Sequence, residues 1–360
     1  MSRLQVVSGK GGTGKTTVAA ALALALATEG RRTLLVEVEG RQGIAQVFDT
    51  EPLPYGEHKI AVAPGGGEVF ALAIDPELAL LDYLQMFYRL GSAGRALKKM
   101  GAIDFATTVA PGVRDVLLTG KAAEAVRRKD KQGRHVYDHV VMDAPPTGRI
   151  TRFLGVNDEV AGLARIGPVH HQAQSVMHLL KSSRTAVHLV TLLEEMPVQE
   201  TADGIAELRA AGLPVGRVLV NMVRPAPLAP GALAGDVPRA ALEAALTAAG
   251  LPRAGTLAGP LLALGEEYGE RHALEAAQRA RLAALGRPVL ELPLAPEGMD
   301  LAAVYRMAKD LRGQGVAEEP PSRSGTTTGP GTTTGPGTAD PGTADPGTSD
   351  PGTPDPGRTP

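Results

Sequence analysis

Short, solidly apolar runs alternate along the chain with longer stretches in which apolar residues return every three or four positions, the signature of strand-helix-strand units. The runs at 4–8, 33–38, 69–74, 139–143, 186–191, 218–221 and 289–292 read as strands. Most show no polar alternation, as expected of strands covered on both faces in a parallel sheet. Helical periodicity occupies 16–29, 76–89, 113–128, 198–211, 240–249, 267–285 and 299–311. The expected fold is α/β, with a mostly parallel, doubly wound sheet. Helical stretches without a strand partner, at about 76–130, 157–183 and 224–286, are expected to be insertions forming a second, helical subdomain.

The periodic pattern stops near residue 316. Beyond it Thr, Gly, Pro, Asp and Ala dominate, T-T-T-G-P-G occurs twice, and ten of the 29 prolines fall in the last 45 residues. Such a segment has almost nothing apolar to bury against its ordering entropy, so 316–360 is expected to be a disordered tail and 1–315 the folded domain.

Composition narrows the chemistry. Lys plus Arg (37) nearly balances Asp plus Glu (39), and no basic block stands out, so nucleic acid is not expected as a partner. The absence of cysteine removes disulfides, iron–sulfur ligation, thiolate zinc and cysteine nucleophiles together. The longest apolar run, 18–27, is too short for a transmembrane segment, and no secretory-signal pattern is present, so a cytoplasmic protein is expected. Eleven Phe and Tyr residues and no Trp require an aliphatic core.

The first strand runs straight into Gly9-Lys10-Gly11-Gly12-Thr13-Gly14-Lys15-Thr16-Thr17, with an Ala- and Leu-rich helix behind it. The glycines let the backbone curl until its N–H groups point inward at phosphate oxygens, and the helix N-terminus adds partial positive charge. Lys15 is placed for the β- and γ-phosphates of ATP and the Thr16 hydroxyl for Mg²⁺. The strand at 33–38 leads into Glu39-Gly40-Arg41-Gln42, and ligands gather at the carboxyl ends of parallel strands. A carboxylate at Glu39 can orient or deprotonate a water there. Spacing alone leaves it equally open that Glu37 and Glu39 are ordinary solvated residues. The strand at 139–143 closes on Asp143, the Walker B pattern that positions Mg²⁺ through water.

The loop K-G-G-T-G-K-T at 10–16 is similar to the deviant phosphate loop of SIMIBI-class dimeric ATPases. The string D-A-P-P-T-G-R-I-T-R-F-L at 143–154 resembles the switch of the ArsA family, which includes arsenite-pump ATPases and the guided-entry ATPases that carry tail-anchored membrane proteins. The resemblance implies a P-loop NTPase that dimerises around ATP, as a homodimer or with a paralogous ATPase, Lys10 reaching across to the partner's nucleotide. It further implies Glu39 on the attacking water, Asn221 on the adenine, and the loop of Pro293 and Pro296 closing over the base. Nucleotide state would then control a helical region that handles a hydrophobic or membrane-protein client. Leu80, Leu81, Leu84, Met86, Phe87, Met100, Phe105, Met177, Leu179 and Leu180 could line its groove or simply pack in the core.

Departures from the family pattern qualify this. Glu39-Gly40-Arg41-Gln42 stands where the family has D-P-A-H, and the extra methylene shifts the carboxylate by about 1.5 Å, enough to slow hydrolysis. Arg149 replaces a histidine, and neither the family's C-x-x-C zinc clasp nor cysteine-based arsenite binding can exist. Two other readings stay open. One is a MinD- or ParA-like positioning switch, whose D-x-D spacing Glu37 and Glu39 match. The other is a weakly hydrolysing regulatory subunit paired with an active paralogue.

Overall fold

The computed structural model describes residues 2–88, 111–163, 168–225 and 236–317. Their strands form one sheet: β1 (Leu4–Gly9), β2 (Arg32–Glu37), β3 (His58–Ala63), β4 (Gly67–Ala73), β5 (His139–Asp143), β6 (Thr185–Thr191), β7 (Val215–Val223) and β8 (Val289–Pro293). The order is β3-β4-β2-β5-β1-β6-β7-β8, parallel throughout except for the antiparallel β3–β4 pair. The helices are α1 (Lys15–Ala27), α2 (Gly43–Val47), α3 (Pro76–Tyr88), α4 (Pro111–Arg127), α5 (Thr147–Leu163), α6 (Pro168–Leu180), α7 (Glu195–Ala210), α8 (Arg239–Ala248), α9 (Ala254–Ala284) and α10 (Leu301–Gly313).

Successive residues of the central strands feed two apolar layers, because side chains alternate across a sheet. Val6, Val36, Met142 and Leu189 meet Leu118, Phe153 and Leu179 on one face. Val7, Leu35, Val141 and Val190 meet α1 and α10 on the other. This is the doubly wound α/β sheet the apolar runs predict. Every residue of α1 from Val18 to Ala27 is buried, as an all-round apolar helix must be. Sheet and layers thereby hold the N-terminus of α1 rigidly at the carboxyl end of β1.

The structure departs from the sequence pattern in particular places. β3 was not expected: it is a sheet-edge strand with only Ala63 fully buried, so no apolar run marks it. α5 begins at Thr147, immediately after the Asp143 segment, its apolar stripe at Ile150, Phe153 and Leu154 embedded in the switch motif. α9 runs through Pro260 in its second turn, where the proline forfeits a backbone bond and crowds the carbonyl four residues before it. Met177, Leu179 and Leu180 are core residues, not groove lining, because α6 packs that face under the sheet. Side-chain placement is not described for Leu84, Met86 and Phe87, and Met100, Phe105 and the tail beyond 317 lie outside the described residues. Among the described residues no helix is long and apolar enough to cross a membrane.

Candidate nucleotide site

The loop between β1 and α1 curls around one atom. The Lys10 carbonyl accepts from the Thr13 N–H (3.4 Å), the Thr13 hydroxyl (2.8 Å) and the Lys15 ammonium (3.3 Å). Gly14 takes a left-handed conformation (φ 80°) immediately before α1, and a Cβ there would stand 2.5 Å from Asn221 Nδ2. Any side chain at 14 meets both backbone strain and a collision. Asn221, buried on β7, donates from that Nδ2 to the Thr13 carbonyl at 2.9 Å. The residue expected to read adenine is therefore also a brace for the phosphate loop. Gly9 ends β1, while Gly11 and Gly12 leave open space around their α-carbons. Thr17 lies in the first turn of α1.

Lys15, Thr16, Glu37, Glu39 and Asp143 line one cavity of about 290 Å³, with Gly12, Gly14, Arg41 and Gly43 completing its wall. The Thr16 hydroxyl donates to Asp143 Oδ2 at 2.7 Å. Burial pushes the Asp143 carboxyl up to about 6, although the Thr16 hydrogen bond and the Lys15 charge pull the other way. Burial likewise lowers the Lys15 ammonium, with Asp143 and Glu39 opposing. No group of three or more His, Asp or Glu among the described residues could hold a metal by itself. One hydroxyl and one carboxylate beside a phosphate cradle is instead the sparse donor set that Mg²⁺ completes with phosphate oxygens and waters. The residues therefore fit Mg²⁺.

This predicts a pH dependence. Asp143 is ionised at pH 7.5, and protonation near its raised value of about 6 removes its acceptor charge. Once the nucleotide's own titration is subtracted, Mg²⁺-dependent affinity is expected to fall about tenfold per pH unit below that value. Titration calorimetry between pH 5 and pH 8 checks this, and a flat profile would remove Asp143 from the metal site.

The two glutamates at the end of β2 and just beyond it do different work. Glu37 is 2% exposed; its Oε1 accepts from the Gln42 N–H at 2.5 Å and its Oε2 from the Ile44 N–H at 3.1 Å. It is thus no solvated residue but the anchor of the loop leading into α2. The Gln42 side chain pairs with the Leu53 backbone, donating to its carbonyl (3.1 Å) and accepting from its N–H (2.8 Å). Gly43 presses on Thr16, where a Cβ would lie 3.2 Å from Thr16 Cγ2. Held at both ends, the loop turns Glu39 toward the cavity, with Arg41 3.8 Å away.

The segment after β5 is tied to β1 by the Ser8 hydroxyl, which donates to the Pro145 carbonyl at 2.6 Å. Arg149, in the first turn of α5, lies 3.8 Å from Asp115 on α4. Asp115 is raised by burial, against the pull of Arg149, Arg114 and Arg152. Lys10 directs its ammonium to Glu200 on α7, at 2.5 Å. Pro293 closes β8 and Pro296 sits in the exposed turn beyond, beside Leu294, whose N–H donates to the Val223 carbonyl at 2.8 Å. That bond holds the late loop at the end of β7, close to Asn221.

Four residues here carry no sequence expectation as site organisers: Ser8, Glu37, Gln42 and Glu200. Glu37 alone leaves a local signal, a charge inside a strand whose neighbours are buried on both faces. Ser8 and Glu200 act through partners far away in the chain.

The sequence profile of the anion-transporting ATPase family, ArsA, matches residues 2–182. The chain is 54% identical over 318 residues to ATPase BagA of Mycobacterium tuberculosis, covering 87% of this chain and 94% of that protein. To the arsenical pump-driving ATPase of Escherichia coli it is 27% identical over 240 residues, 61% of this chain and 39% of that one. To ATPase GET3 of Kluyveromyces lactis it is 26% identical over 251 residues, 60% and 71% respectively.

Proposed function

Because the chain belongs to the anion-transporting ATPase family and is an ATPase, we propose that it works as a dimeric, Mg²⁺-ATP-driven switch acting on a hydrophobic or membrane-protein client. The single observation supporting this most is that Lys15, Thr16, Glu39 and Asp143 line the same cavity, although they come from three separate strand ends.

The roles follow from chemistry and position. The curled loop from Gly9 to Thr17 offers N–H groups to the phosphates, and Lys15 exchanges its weak bond to the Lys10 carbonyl for a phosphate oxygen. Thr16 and Asp143 hold Mg²⁺, which when bound neutralises phosphate charge. Glu39 accepts a proton from, or orients, the attacking water, while Glu37 keeps its loop in place. Asn221 with the loop of Pro293 and Pro296 brackets the base. Lys10 lends its amine to the nucleotide of a second protomer, a copy of this chain or a paralogous ATPase, adding positive charge where the transferred phosphoryl gathers negative charge.

Motion at the segment after Asp143 passes to the helices through Arg149 and Asp115, from the start of α5 to the start of α4. With no cysteine to bind arsenite, the proposed client is a hydrophobic protein rather than that anion.

The experiment is isolation from the native host with a non-hydrolysable ATP analogue and magnesium. The expected result is a mass of two ATPase protomers, with membrane-protein segments captured only in one nucleotide state. A monomer that retains bound analogue and magnesium would overturn the proposal.

A further inference from the structure

In the dimeric reading just given, on which this inference rests, Lys10 must leave its own protomer. The structure shows what holds it back. Its ammonium lies 2.5 Å from Glu200 Oε1, in a pair only about one-third exposed on either side. The other oxygen, Glu200 Oε2, accepts from the Thr147 hydroxyl at 3.4 Å. Thr147 is buried and opens α5, directly after the Asp143 segment. The backbone of α7 lies against it, since a Cβ at Gly204 would touch Thr147 Cγ2 at 3.4 Å. One carboxylate therefore joins the phosphate loop, the first turn of the switch helix and α7.

We propose that Glu200 is a positioning residue of the ATPase cycle: it parks the Lys10 amine within its own protomer and releases it when nucleotide and switch rearrange. Two facts give the parking a direction. The Lys10 backbone carbonyl is held by the Thr13 hydroxyl and N–H, bonds that do not depend on Lys15, so the side chain swings from a fixed pivot and its amine is either on Glu200 or elsewhere. Movement of α5 withdraws the Thr147 hydroxyl that orients the carboxylate, so Glu200 is no longer held in place toward Lys10. A pair that still meets solvent on both sides is weak enough for a polyphosphate, which carries more negative charge on more oxygens, to win the amine. The switch segment thereby controls when Lys10 is offered to a neighbour.

The test is nucleotide-dependent assembly, followed by sedimentation of the protein as isolated from its host, with magnesium and a non-hydrolysable ATP analogue. Wild type, Glu200→Gln, Glu200→Asp, Lys10→Ala and the double variant Lys10→Ala with Glu200→Gln are compared, with thermal melts checking that each folds. Glu200→Gln keeps the shape and removes the charge. It is expected to lower the protein concentration for half-assembly by about two- to fivefold, the range of a partly exposed ion pair. Glu200→Asp should fall between it and wild type, and in the Lys10→Ala background the change at 200 should have no effect. If wild type assembles and Glu200→Gln shifts nothing, weakens assembly, or gives the same gain without Lys10, the parking role is overturned and the dimer stands. If no variant assembles, the dimer and the parking role both fail.

Discussion

Glu39→Ala is expected to lower ATP turnover by about 10²- to 10⁴-fold, the usual contribution of a positioned general base, while nucleotide affinity stays near the wild-type value. The split between turnover and binding follows from the site. Glu39 lines the cavity with Lys15, Thr16 and Asp143, and its ion pair is with Arg41 in its own loop rather than with the phosphate loop. The loop that carries it is anchored by Glu37 through the N–H groups of Gln42 and Ile44, and by Gln42 through Leu53. Removing the Glu39 carboxylate therefore leaves the cavity standing and takes away the group proposed to orient the water. Steady-state turnover and equilibrium binding of Mg²⁺-ATP, measured on the same preparation, check both halves. Unchanged turnover would show that another group orients the water.

Phe153→Ala is expected to destabilise the protein by about 3–5 kcal/mol, the range for truncating a fully buried aromatic. Phe153 is 1% exposed on α5 and belongs to the same apolar layer as Val38 and Leu118. It also backs a cavity of about 190 Å³ lined by Glu39, Arg41, Asp115 and Arg149, between the two loops that flank the nucleotide site. Its loss enlarges that space on the side where α5 meets the sheet, so collapse of the surroundings would drag the first turn of α5 and Arg149 with it. Denaturant unfolding reads the energy, and a loss below about 1 kcal/mol would mean that the layer closes over the gap. The same variant should weaken coupling between nucleotide and α4, since the contact of Arg149 with Asp115 starts from that turn.

Legibility in the sequence followed how local each feature is. The phosphate loop is one continuous peptide from Gly9 to Thr17, and β5 closing on Asp143 is another, so residue types and spacing alone pointed to nucleotide chemistry there. Buried strands announced themselves as apolar runs because the parallel sheet covers both faces. β3 was silent because an edge strand needs no such run, and α5 was hidden because its apolar stripe shares residues with the switch motif. Glu37 and Glu39 are two residues apart and identical in type. Which is buried against the loop backbone and which stays partly exposed depends on where the loop turns back onto Thr16.

Contacts across space were beyond reach. Asn221 meets Thr13 across 208 residues of sequence, and Thr16 meets Asp143 across 127. Both meetings exist because β1 lies between β5 and β6, with β7 next in order, a topology that no short segment carries. The chain's own chemistry determines that a nucleotide's phosphates can be held and that the core is an aliphatic sheet between helices, because glycine backbone freedom and apolar runs act over a few residues. The packed tertiary structure alone decides that Asn221 braces the loop, that Glu37 is an anchor, and that Lys10 rests on Glu200. Those facts depend on distances between strand ends, which packing of the whole sheet sets.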